Sequence, residues 1–109
     1  MIVEERIYTL HPGTVPEYLA VYCKYGVKVQ KRHLGTMVGY FSTEFGPLNQ
    51  IVHMWAYVDL RDRAVRREAL AADPDWKRCR ELMRPFLLSQ ENKLLTPAPF
   101  SPYASDPEL

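Results

Sequence analysis

The sequence predicts an α+β fold, with helices on one face of a four-stranded antiparallel sheet. Three observations predict it. Residues 38–58 place two runs of strand-forming residues around Phe45-Gly46-Pro47-Leu48-Asn49, the composition of a β-hairpin. Two other stretches, one on either side of that hairpin, repeat apolar residues at helical spacing. One further strand-like segment precedes the first helix and another follows the second. The resulting order, β-α-β-β-α-β, is the ferredoxin-like split arrangement.

Each element has its own local reason. Ile2 to Leu10 mixes alternating charge with β-branched and aromatic residues and reads as strand one, ended by His11-Pro12-Gly13. Thr14 opens the first helix, with Pro16 in its first turn and Glu17 at the spacing of a capping box. Val15, Tyr18, Leu19, Tyr22, Tyr25 and Val29 form one stripe and predict a single helix that stops near Gly35. Lys28, Lys31, Arg32 and His33 complement the dipole at its C-terminal end. After the hairpin, Asp59 caps a second helical region with a thin apolar line of Leu60, Ala64 and Ala71. Asp73-Pro74-Asp75 restarts it, and Trp76, Cys79, Leu82, Met83, Phe86 and Leu87 give the new stripe, limited by Pro85. Ser89 to Leu95 reads as strand four. These elements make one domain over residues 1–95; residues 96–109 form a proline-rich tail whose Phe100 and Tyr103 predict packing on the domain or on a partner.

Composition narrows the function classes. A chain of 109 residues with a net charge of +1 has no global field for nucleic acid or anionic membrane, and neither is expected as a partner. No run nears the roughly 18 apolar residues of a membrane helix, and the N-terminal residues show no basic-then-apolar leader. With Cys23 and Cys79 outside any CxxC and expected as reduced, partly buried thiols, the expected compartment is the cytoplasm. His11, His33 and His53 lack metal-binding spacing, and no GxSxG, GxGxxG or P-loop occurs, so neither a metal nor a cofactor is expected. The run Ile51 to Val58 is apolar or aromatic at nearly every position, which calls for cover on both faces. Helices supply one cover. The other is expected from a second copy, giving a homodimer through the open sheet face.

The stretches Thr43 to Asn49, His53-Met54-Trp55-Ala56-Tyr57, Asp73-Pro74-Asp75-Trp76 and Phe100-Ser101-Pro102 resemble the NIPSNAP family, and the resemblance covers nearly the whole chain. It implies the dimeric α/β-barrel superfamily, in which two ferredoxin-like protomers pack sheet against sheet. Branches of that superfamily include cofactor-independent monooxygenases, isomerases, decyclases and haem-binding proteins. The activity of the family itself is poorly defined, and no local motif here supports haem.

The hairpin supplies the candidate site. A four-residue loop, 45–48, would set Glu44 opposite Asn49, Tyr40 opposite His53 and Val38 opposite Trp55; a three-residue loop would instead set Phe41 opposite His53. In both, His53, Trp55 and Tyr57 share one face. His53 is a candidate general base, with Glu44 as its catalytic partner. Tyr40, Asn49, Trp55 and Tyr57 are candidate substrate-binding residues, joined by Arg63 and Arg67, which stand four apart and, where that side meets the pocket mouth, would favour an anionic substrate or pair with Glu44 or Glu91. Each has a plainer reading: a hydrogen-bonded core histidine, packing aromatics, and a solvated basic helix surface between Arg61 and Arg84. Two functions remain open on the sequence. One is a small-molecule-binding protein, extending to a cofactor-independent enzyme on an apolar or aromatic metabolite. The other is a non-catalytic interaction module whose aromatic hairpin builds the dimer core.

Overall fold

Antiparallel pairing fixes which side chains meet the helices. The computed structural model describes residues 1–104 and contains β1 (Ile2–Leu10), α1 (Val15–Tyr25), α2 (Val27–Leu34), β2 (Thr36–Ser42), β3 (Gln50–Tyr57), α3 (Leu60–Ala72), α4 (Pro74–Met83) and β4 (Leu87–Leu95). The sheet order is β2-β3-β1-β4, antiparallel throughout, as the ferredoxin-like reading requires. Register sets Glu4 opposite Trp55, Arg6 opposite His53 and Tyr8 opposite Ile51, so these six share the helix-covered face. The intervening residues, among them Ile7, Val52 and Met54, lie on the other face.

The core forms between the covered face and the helices, and Leu10, Tyr18, Leu34, Ile51, Trp55 and Leu70 are almost fully buried in it. Each aliphatic side chain of this size contributes about 1.5–3 kcal/mol on burial. Two aspartates act as the sequence predicts: the Asp59 carboxylate accepts from the Asp62 N–H, and that of Asp73 from the Asp75 N–H. Asp73 also accepts from Arg32 and meets His33 Nε2 at 2.8 Å, tying α2 to the start of α4.

Several local expectations need correction. The single helix over 14–34 is two helices, because the chain bends at Gly26. A methyl group there would stand 2.7 Å from Cys79 Sγ and 2.9 Å from Tyr22 Cδ1, so α4 packs directly on the backbone of the bend. Thr14 makes no capping-box bond; its hydroxyl donates instead to the His11 carbonyl. Cys79 is buried as expected, but Cys23 is exposed. In α3 the buried residue is Leu70, while Leu60 and Ala64 face solvent, and in α4 Leu82 is exposed. β4 begins at Leu87, two residues early, after a 3₁₀ turn at Arg84–Phe86 that accommodates Pro85. In the tail, Phe100 is 79% exposed whereas Tyr103 is half-buried; residues 105–109 lie outside the described residues. No described helix is long and apolar enough to cross a membrane.

Candidate functional site

A cavity of about 430 Å³ opens between the sheet and the helices. Its floor is the covered face of the sheet: Arg6 and Tyr8 from β1, Tyr40 from β2 and His53 from β3. Its walls include Gln30, Arg67, Trp76 and Met83 from the helices, and Arg80 and Arg84 stand with them. This volume is typical of sites for small organic molecules.

Hairpin register brings the floor together. Tyr40 pairs with His53, as a four-residue loop predicts, and the two rings stack at 4.6 Å. Tyr8 meets the same imidazole edge-on at 4.8 Å. Beyond that pair the register slips: a bulge between Met37 and Gly39 sets Met37, not Val38, opposite Trp55. The Tyr40 hydroxyl lies 3.1 Å from that of Tyr18, and burial pushes both phenols far above their ordinary range, so both stay protonated.

His53 is 1% exposed, and its chemistry is set from behind. The Trp55 indole N–H donates to Nδ1 at 2.8 Å. Nδ1 therefore carries no proton, and the neutral imidazole holds its proton on Nε2. Burial, reinforced by the positive charges of Arg6 and Arg67, pushes the imidazole down to about 3. Nε2 has no hydrogen-bond partner. The residue expected as a general base is thus held as a neutral N–H donor, because the indole occupies the nitrogen that carries the free lone pair.

Beneath the cavity runs a buried charge network. Glu4 is 1% exposed, and its Oε2 accepts from Arg63 at 2.7 Å, Asn92 at 2.8 Å and Arg6 at 3.2 Å. Burial alone would raise this carboxyl, but the bonds from Arg63 and Asn92 and the charges of Arg6 and Arg63 bring it down to about 2. Arg6 also donates to the Tyr8 hydroxyl at 2.9 Å, which fixes its guanidinium beside the cavity. Arg67, one turn beyond Arg63, lines the cavity with a buried Nη1 that lacks a partner.

Of the residues expected from sequence, Tyr40, His53 and Arg67 line the cavity. Trp55 sits behind His53 and orients it. Tyr57 is buried in the same core, and Arg63 is committed to Glu4. Asn49 holds the loop, its side-chain oxygen accepting from the Gly13 N–H at 3.1 Å. Glu44 is exposed in the hairpin loop and is not among the lining residues, so it is not brought to His53. The basic residues of α3 are not a purely solvated surface: Arg63 and Arg67 turn inward, and Arg66 donates to the His33 carbonyl. Sequence reasoning missed Glu4, Arg6 and Tyr8, whose period-two spacing in β1 marks one face, and Gln30, Arg80 and Arg84, for which no local pattern exists. His53, Trp55 and Tyr57 lie on the covered face and pack within their own protomer, whereas Phe41 stands exposed on the open face. No group of three or more His, Cys, Asp or Glu suited to a metal occurs among the described residues.

Comparison with known proteins agrees with this architecture. A family model described as NIPSNAP matches residues 3–102. Protein NipSnap of Drosophila melanogaster is 33% identical over 93% of this chain. This chain spans only 36% of that relative, about a third of its length. A crystal structure of a NIPSNAP family protein with unknown function from Agrobacterium tumefaciens superposes with a TM-score of 0.92 at 48% identity, over 94% of this chain and 93% of that one. A NIPSNAP-like domain protein from Burkholderia xenovorans gives 0.89 at 43% identity, over 98% and 96% of the two chains. An antibiotic biosynthesis monooxygenase at 16% identity shares the fold, with a TM-score of 0.64 over 91% of this chain and all of that one. With a match over nearly its whole length, this chain belongs to the NIPSNAP family.

Proposed function

We propose that the chain is a small-molecule-binding protein whose site is the cavity between the sheet and the helices. One observation carries the reading: His53, almost fully buried, lines a cavity of about 430 Å³ with Nε2 unpartnered. A buried donor without a partner costs about 1–3 kcal/mol, and a histidine kept only for packing would meet an acceptor. In a catalytic form of this reading, His53 and the nearby guanidiniums stabilise negative charge on an oxygen of an aromatic substrate. Cofactor-independent oxygenation and isomerisation both require that. Glu44 has no part in it, since it stands in the exposed loop.

The same reading includes a second copy on the open sheet face. Phe41 is 54% exposed there, beside the half-buried Val52 and Met54, an apolar patch of the kind that marks an interface.

Native mass spectrometry of the purified protein tests both parts. The expected spectrum is a dimer that retains small organic molecules added from a fragment set. A dimer indifferent to every fragment would overturn the binding site, and a monomer would overturn the pairing.

A further inference from the structure

The chemistry of the cavity selects one ligand class, an inference that rests on the binding site proposed above. Four arginines line it: Arg6, Arg67, Arg80 and Arg84. No aspartate or glutamate does so among the described residues. Arg6 and Arg84 are partly neutralised by Glu4 and Glu81. Arg67 and Arg80 have no ion pair among the described residues. The cavity and its mouth, where Arg80 and Arg84 are exposed, therefore carry a surplus of positive charge.

Hydrogen-bonding character points the same way. His53 offers an N–H from Nε2, and the buried Nη1 of Arg67 is a second donor without an acceptor. Two buried donors beside a surplus of cations call for a ligand with acceptor atoms and negative charge. Apart from Gln30 and Gln90, the remaining lining is apolar and aromatic, with Tyr8, Tyr40, Trp76, Leu70 and Met83 around the donors. Such walls suit a flat, apolar body rather than an inorganic ion. We propose that the cavity binds an organic carboxylate on an aromatic or apolar body, its oxygens held by His53 Nε2 and Arg67 Nη1. His53 acts here as a fixed donor, and its protonation does not change near neutral pH.

The test compares 1-naphthoate with its neutral isostere 1-naphthamide by isothermal titration calorimetry at pH 7.5. The expected result is roughly tenfold or greater preference for the carboxylate, the scale of one charge-assisted hydrogen bond. Arg67→Met should remove most of that preference and bring the affinities of the two probes together. Arg80→Met, on an exposed side chain, gives a smaller loss in the same direction and serves should Arg67→Met fail to fold. Equal binding of the two probes would overturn the carboxylate assignment and leave the binding site standing. Failure of both probes to bind at millimolar concentration would overturn the assignment and the binding site together.

Discussion

Under the helices the sheet carries Glu4, Arg6, Tyr8, His53 and Trp55, whereas its open face carries Ile7, Phe41, Val52 and Met54. Buried polar and titratable groups thus sit among core aromatics inside, whereas outside the apolar side chains stand beside Glu5, Glu91 and Lys93. A sheet built only for stability would bury no charge beneath its helices, because an ionised group there costs several kcal/mol unless paired. The proposed function assigns a different constraint to each face. On the proposed reading, the covered face holds the ligand cavity, with Glu4 gathering Arg6, Arg63 and Asn92 so that their donors are satisfied. On the proposed pairing, the open face meets a second copy, whose surface would cover Phe41, Val52 and Met54.

The sharpest way to break this contrast is to remove the inner anchor. Glu4→Ala leaves Arg6, Arg63 and Asn92 without their carboxylate, and denaturant unfolding should show a loss of about 3–5 kcal/mol. The matched control, Glu44→Ala in the exposed loop, should stay within about 0.5 kcal/mol.

Acid titration gives the next largest effect. The folded His53 value of about 3 lies below its ordinary 6.5, so the unfolded chain takes up a proton first as pH falls. Stability from this residue is fully present above pH 6.5 and is lost progressively toward pH 3. Between pH 6.5 and 4 the wild type should lose about 3 kcal/mol more than His53→Gln, at 1.36 kcal/mol per unit. Glu4 acts in the same sense lower down, its contribution falling from pH 4.5 toward 2. Parallel pH profiles for the two proteins would contradict the buried neutral imidazole.

On the open face, Met54→Lys should convert a dimer to a folded monomer by analytical ultracentrifugation, with ligand binding changed little. The smallest effect belongs to neither face: Asp59→Ala removes the cap on the Asp62 N–H and should cost about 1 kcal/mol in thermal or chemical unfolding.

What was legible in the sequence followed from local periodicity. Period-two alternation put His53, Trp55 and Tyr57 on one face, and turn residues at 45–48 gave the Tyr40–His53 pair. Asp59 and Asp73 announced two helix starts that the structure bears out. Long-range partners left no such trace. Glu4 meets Arg63 and Asn92 across 59 and 88 residues, and nothing near residue 4 signals either. The arginines of α3 look solvated because charge there outweighs apolar content; only Leu70, buried beyond Arg63 and Arg67, reveals which side faces inward. The bulge at Val38 and the bend at Gly26 depend on packing against neighbouring elements, which a one-dimensional pattern does not contain.

The most direct measurement is a crystal structure of the protein grown with 1-naphthoate. The account predicts the naphthalene ring among Leu70, Trp76 and Met83, with a carboxylate oxygen within hydrogen-bond distance of His53 Nε2. A cavity filled by the protein's own side chains, or His53 Nε2 bonded to another protein group, would contradict it.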